Sequence, residues 1–205
     1  MNPPNYIGKT ARIASNLWKQ IPKLQTTNDP LERRYLFTGL PGLGKTDMAE
    51  HLAAALTGED VERIRARMAI NTEIVNGQSC SIEVVRGWMN DGHYRPMFGA
   101  CRVKIVDEVD GMSLAALNEI RSYLDRLPPA TVFLATTNKP TSELQEQLQS
   151  RFKVCFFEPV SEIEITDWLI AEFKLPLGYA HQVAVGANGN VRAARIDALA
   201  YLESV

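Results

Sequence analysis

The sequence predicts an α/β fold: a five-stranded parallel sheet with helices on both faces, followed by a small helical lid. Three observations predict it. Short apolar, β-branched runs alternate with helix-forming stretches up to residue 157, the pattern of parallel strands joined by crossover helices. Beyond that point only helix-forming stretches follow. Finally, Gly39-Leu40-Pro41-Gly42-Leu43-Gly44-Lys45-Thr46 reads G-x-x-x-x-G-K-T between a strand and a helix, the setting of a phosphate-binding loop. The division falls near Glu158-Pro159, giving an α/β domain over 1–158 and a lid domain over 159–205.

Residues 1–34 predict a loop, a helix over about Thr10 to Ile21, and a polar turn at Thr26-Thr27-Asn28-Asp29-Pro30. Tyr35–Phe37 is the first core strand. The helix after the glycine-rich loop ends near Gly58, and Asp60–Ala69 predicts a short charged helix. Glu73–Asn76 is a second strand, closed by Gly77. Ile82–Met89 predicts a helix with Ile82, Val85 and Met89 on one face. Val103–Val106 is the third strand. Ser113 caps the next helix, whose apolar stripe is Leu114, Leu117, Ile120 and Leu124, and Pro128-Pro129 stops it. Thr131–Thr136 and Lys153–Phe157 are strands four and five, with a polar helix over Glu143–Gln149 between them. Ser161 and Glu164 form a capping-box pattern for a helix to about Phe173; helices over about 178–185 and 190–202 follow.

Composition narrows the class. The chain has 205 residues, 45% of them hydrophobic, enough for one α/β domain and an appendage with a proper core. Net charge is −2, so the chain as a whole is not a basic nucleic-acid binder, although a local basic face is compatible with that average. Cys80, Cys101 and Cys155 are far apart and form no C-x-x-C pair, which argues against a zinc module or disulfide framework and for a reducing compartment. Neither a signal peptide nor a bilayer-spanning run is found, so no membrane partner is expected.

The chemistry concentrates in five places. In the glycine-rich loop, Gly39, Gly42 and Gly44 permit backbone angles and close approaches that a Cβ would block. The N–H groups of that loop and the positive end of the following helix suit a triphosphate; Lys45 reaches the β- and γ-phosphates and the Thr46 hydroxyl ligates Mg²⁺. Asp107-Glu108 ends the third strand, where ligands of open parallel sheets bind: Asp107 helps hold Mg²⁺ and Glu108 polarises a water for in-line attack. Asn138, after strand four, can orient that water or touch the γ-phosphate; it is also a common turn residue before Lys-Pro. Arg151, in Ser150-Arg151-Phe152, is either a solvated helix-end charge or a planar fork that stabilises γ-phosphate charge in a neighbouring subunit. Arg192, in Gly189-Asn190-Val191-Arg192, is either a surface charge or a reporter of ATP binding to the lid.

Taken in order, phosphate loop, D-E-x-D, strand-end Asn, S-R-F and G-N-x-R resemble the motif series of AAA+ ATPases. Asn76-Gly77-Gln78-Ser79-Cys80-Ser81-Ile82-Glu83-Val84-Val85-Arg86 is similar to the N-x-S…I-D-V-V-R stretch of the clamp loader family, and Ser150-Arg151-Phe152 to its S-R-C. Tyr6-Ile7-Gly8 is similar to the segment that lines the adenine pocket. The resemblance covers about residues 3–203 and implies a P-loop NTPase core with lid, lacking the C-terminal collar domain of clamp loader subunits. It also implies ATP and Mg²⁺ bound between subunits of a homo- or hetero-oligomer, and action on DNA and a sliding clamp through that assembly in the cytoplasm of a bacterial or phage-infected cell. Residue by residue, it makes Pro41, Gly42, Leu43, Gly44, Lys45 and Thr46 phosphate and metal binders, and Asp107 and Glu108 the Walker B pair. Asn138 becomes sensor one, Arg151 the finger acting in trans, Arg192 sensor two, and Ile7 and Gly8 the adenine wall. Arg86 is a weaker candidate for DNA backbone contact. A helicase-loader or transposition-type AAA+ ATPase, or an ATP-gated scaffold with little turnover, shares most of these motifs.

Overall fold

A computed structural model of the chain describes residues 3–144 and 146–204. Nine α-helices and five strands are found among them. The elements are α1 (Gly8–Thr26), β1 (Arg34–Thr38), α2 (Lys45–Thr57), α3 (Val61–Arg65), β2 (Thr72–Asn76), α4 (Ile82–Asp91), β3 (Arg102–Asp107), α5 (Leu114–Asp125), β4 (Thr131–Thr137), α6 (Glu146–Gln149), β5 (Lys153–Phe156), α7 (Glu162–Phe173), α8 (Leu177–Ala187) and α9 (Val191–Ser204). All strand pairings are parallel and the order is β2-β3-β4-β1-β5. The phosphate-loop strand β1 thus sits between β4 and β5, and the C-terminal ends of β1, β3 and β4 converge on one edge of the sheet.

Alternating side chains send the sheet into two cores. On one face, Phe37, Val103, Ile105, Val132 and Leu134 pack with Leu17 of α1 and Met48 and Leu52 of α2. On the other, Leu36, Val106, Phe133 and Ala135 pack with Val85 and Trp88 of α4 and Ile120, Tyr123 and Leu124 of α5. Trp88, Tyr123 and Phe133 meet with ring centroids 5.8–6.1 Å apart, tilted or edge-on, which adds about 0.5–1.5 kcal/mol per pair beyond burial. A separate apolar cluster holds α7, α8 and α9 together through Ile165, Leu169, Ala180, Ala184, Ala194 and Ala198, with Ile7 from the N-terminal segment packed against it.

Several expected boundaries move, each for a physical reason. Helix α1 runs on to Thr26 through Pro22: the missing hydrogen bond is offset by burying Leu24 at 1% exposure. Helix α3 stops at Arg65, because Arg67 turns left-handed at φ 55° to lead the chain into β2. The α4 core face is Val85 and Trp88, with Ile82 and Met89 only half-buried. Leu114 leaves the predicted stripe, at 69% exposure, since it opens the helix beyond the core; Ala116 and Tyr123 take its place. The polar stretch 143–149 divides into a 3₁₀ turn at Thr141–Glu143 and the single turn α6. Both faces of the sheet are not covered throughout: on β5 exposure alternates, and Val154 and Phe156 are exposed.

At the opposite edge, Val103 N–H donates to the Asn71 carbonyl and Thr72 pairs with Val103, so the Ile74 carbonyl points away from β3. The Arg67 guanidinium donates to it. Among the described residues no helix is long and apolar enough to cross a membrane.

Candidate active site

The loop after β1 curls because three of its residues hold positive φ: Gly39 at 143°, Gly42 at 80° and Gly44 at 86°. Gly39 is also pressed on Phe157, whose carbonyl oxygen would lie 2.3 Å from an added Cβ, and Gly42 on Asn190. Lys45 opens α2 and is buried. Its Nζ donates to the carbonyls of Gly39 at 2.7 Å and Leu40 at 2.8 Å, and to Asn138 Oδ1 at 2.9 Å. Burial pushes its pKa down to about 8, with Asp107 pulling the other way.

Beside it, Thr46 Oγ1 donates to Asp107 Oδ1 at 2.7 Å, and Thr136 Oγ1 donates to the same oxygen at 2.6 Å. The Thr136 hydroxyl also accepts from the Glu108 N–H at 3.0 Å. Glu108 is left-handed, at φ 57° and ψ 57°, an uncommon and costly state for a residue with a Cβ. Its Oε1 accepts from Asn138 Nδ2 at 3.1 Å. The carbonyl of Glu108 faces Gly77 so closely that a Cβ there would lie 2.0 Å away. Lys45, Asn138 and Glu108 form one run of hydrogen bonds and Thr46 and Asp107 another, and Thr136 joins the two into one set at the C-terminal edge of β1, β3 and β4.

On the other flank of the loop lies a cleft of about 430 Å³. Its walls come from the N-terminal segment (Tyr6, Ile7), the loop (Gly42, Leu43, Gly44, Thr46), Arg65 of α3, and the lid (Trp168, Val191, Arg192, Arg195). Thr46 belongs to both the cleft and the carboxylate set. Gly8 and Pro41 do not line the cleft: Gly8, at φ 60°, faces the Glu164 carboxylate, and Pro41 is exposed. The lid is tied to the loop by the Arg192 N–H, which donates to the Gly42 carbonyl at 3.2 Å.

Arg151 lies elsewhere. It precedes Lys153, which pairs with Tyr35 near the start of β1, whereas the glycine loop follows the end of β1. Five strand residues span about 16 Å, so Arg151 sits at the far edge of its own sheet. There its Nε and Nη2 donate to Asp125 at 2.8 and 2.7 Å, which holds the Asp125 carboxyl below its ordinary range. Arg86 is exposed and pairs with Glu119 at 3.2 Å.

The donor set fits the groups that the sequence implies. The Thr46 hydroxyl and the Asp107 carboxylate, hydrogen-bonded to each other, offer hard oxygen ligands of the kind Mg²⁺ takes alongside phosphate oxygens and water. Among the described residues no cluster of three or more His, Cys, Asp or Glu is arranged as a metal centre of its own. Sequence reasoning missed Thr136, which bonds the Asp107 carboxylate and the Glu108 backbone N–H, and the Tyr6–Asp47–Arg65 group in the cleft wall. Thr136 was legible only as a strand residue, and Asp47 only as part of a helix.

Comparison with known proteins places the chain in a family. The family described as DNA polymerase III, delta subunit, matches over residues 14–161. A replication factor C small subunit from Methanosarcina acetivorans is 29% identical over 136 residues, which cover 65% of this chain and 38% of that protein. DNA polymerase III subunit tau/gamma from Haemophilus influenzae is 26% identical over 152 residues, covering 68% of this chain and 22% of the other. The chain thus spans about two-fifths of the length of the small subunits it matches. Among solved structures, a RuvB variant from Thermotoga maritima superposes with a TM-score of 0.71 at 18% identity, over 95% of this chain and 63% of that one. A DNA polymerase III gamma subunit-related protein from the same organism gives 0.58 at 15% identity, over 84% and 57%. These two structures speak to the fold alone.

Proposed function

The chain belongs to the DNA polymerase III, delta subunit, family of clamp-loader AAA+ ATPases, and we propose that it binds ATP and hydrolyses it at subunit boundaries to load or remodel a protein on DNA in replication. The observation that carries this reading is the hydrogen-bonded set of Lys45, Thr46, Asp107, Glu108 and Asn138, joined through Thr136, with Arg151 about a strand length away.

Each residue then has a duty. Lys45 exchanges the carbonyls of Gly39 and Leu40 for phosphate oxygens, while Asn138 keeps it aimed. Thr46 and Asp107 would hold Mg²⁺, which when bound would neutralise phosphate charge. Glu108 holds the attacking water and takes up its proton; Asn138 fixes the direction of its carboxylate, and Thr136 holds its backbone N–H. Arg192 brings the lid to the phosphates through the loop contact at Gly42. Arg151 serves the site of a neighbouring subunit, because its own lies at the other edge of the sheet. Ile7, with the lid residues Trp168 and Val191, supplies an apolar wall for the base. Residues 159–205 act as the lid domain on the core formed by 1–158.

The test is a set of three variants in ATP binding and turnover assays, with DNA and with partners captured from the host. Lys45→Ala is expected to abolish ATP binding, and Glu108→Gln to keep binding while slowing hydrolysis at least 100-fold, the scale of losing a general base. Arg151→Ala and Lys45→Ala are each expected to be inactive, and their mixture to regain part of the activity. A wild-type chain that binds no ATP, or an Arg151→Ala variant that turns over normally, would refute the proposal.

A further inference from the structure

One wall of the cleft is held by a network with no counterpart in the phosphate and carboxylate chemistry above. The Tyr6 hydroxyl donates to Asp47 Oδ2 at 2.8 Å, across 41 residues of chain. The other oxygen of Asp47 accepts from Arg65 Nη2 at 2.6 Å. Arg65 is fixed in turn by Glu50 at 2.9 Å and Glu62 at 2.8 Å, so its fork cannot swing without breaking several bonds. Tyr6, Asp47, Glu50 and Arg65 all line the cleft.

The arrangement is directional. Glu50 and Glu62 hold Arg65, Arg65 aims Asp47, and Asp47 holds the Tyr6 hydroxyl. Burial, reinforced by Asp47, pushes the Tyr6 phenol far above its ordinary pKa, so it remains a donor. The Tyr6 ring flanks the glycine loop: its Cε1 is the nearest atom to the Cβ position of Gly44, at 3.9 Å. Tyr6 N–H also donates to the Pro4 carbonyl at 2.9 Å, which makes residues 4–6 a compact turn that carries the ring. A second consequence is electrostatic. Asp47 and Glu50 stand beside a loop that must accept a polyanion, and the Arg65 charge offsets their repulsion.

Resting on the nucleotide-binding reading above, we propose that Asp47, aimed by Arg65, is a positioning residue that latches Tyr6 and the segment around it as a closing wall of the nucleotide cleft. The latch sets how long nucleotide stays, and leaves capture of the phosphates to the loop. Neither Tyr6 nor Asp47 takes part in the bond-breaking step.

The test is stopped-flow binding of a fluorescent N-methylanthraniloyl ATP to the full chain with Mg²⁺. Tyr6→Phe keeps the ring and removes only the hydroxyl, so it is the decisive variant. The expected result is a dissociation rate about 10-fold faster with the association rate within 2-fold of wild type, the scale of one hydrogen bond to a charged acceptor. Asp47→Ala is expected to match Tyr6→Phe, Asp47→Asn to recover part of the effect because its amide oxygen still accepts, and the double variant Tyr6→Phe/Asp47→Ala to add little. Wild-type protein that binds and releases at the same rates as Tyr6→Phe would overturn the latch while leaving nucleotide binding intact. A slower association at unchanged dissociation would also overturn it. Wild-type protein that does not bind the probe removes the nucleotide reading itself, and the latch with it.

Discussion

Replacing Gly42 by Ala tests how the lid and the phosphate loop are joined. Gly42 sits at φ 80°, where a residue with a Cβ costs roughly 1–2 kcal/mol. The new Cβ would lie 1.9 Å from Asn190 Oδ1, so the amide must move. That oxygen accepts from the Ala193 N–H at 3.1 Å and so caps the first turn of α9; losing such a cap costs about 1 kcal/mol. The sum is about 2–3 kcal/mol, or roughly 5–10 °C in melting temperature for a chain of this size. Urea unfolding of the nucleotide-free protein, followed by far-ultraviolet circular dichroism, measures it. The decisive comparison is a double-mutant cycle with Asn190→Ala, which removes the obstructing amide and the cap together. In that background Gly42→Ala is expected to cost only the backbone term, giving a coupling of about 1 kcal/mol between two residues 148 positions apart in the sequence. Equal costs in both backgrounds, or a cost below about 0.5 kcal/mol in wild type, would refute the reasoning.

Ser161→Ala removes the capping box of α7, in which Ser161 Oγ accepts from the Glu164 N–H at 3.3 Å and the Ser161 N–H donates to Glu164 Oε2 at 3.1 Å. A loss of about 1 kcal/mol is expected in the same unfolding assay, and less than half of that would mean the cap contributes little. Acid should weaken the fold. Hydrogen bonds from Lys153 and then Lys23 lower the Glu32 pKa to about 2, and Arg151 lowers that of Asp125. Folded values below the unfolded ones stabilise fully above about pH 5, and that contribution is lost as pH falls through 4 toward 2. The urea midpoint is expected to drop over that window, and Glu32→Gln to flatten the drop; an unchanged slope in the variant would remove Glu32 from the account.

Much of this architecture is legible in the sequence because local and global signals agree. The five strands are short apolar, aromatic or β-branched runs, the loop carries glycines where positive φ is needed, and Ser113 and Ser161 cap the helices they precede. Lys45, Thr46, Asp107, Glu108 and Asn138 could be singled out because each follows a strand end, which in a parallel sheet places them on one edge. What was not legible depends on contacts remote in sequence. The helix expected to end near Ile21 runs on through Pro22, and the burial of Leu24 explains why it continues. Leu114 looked like core, but the helix begins outside it. Asp47 gave no signal of its own, since its partners Tyr6 and Arg65 lie 41 and 18 residues away.

The sheet ends on one side in β2, whose outward Ile74 carbonyl is already occupied by Arg67. An exposed strand edge is a template for another chain, and a cation seated on its free acceptor blunts it. A strand arriving at this edge would have to evict the guanidinium and desolvate it. The residue that carries the turn out of α3 therefore also makes the middle of this edge a poorer template for edge-to-edge pairing, whether or not nucleotide is bound.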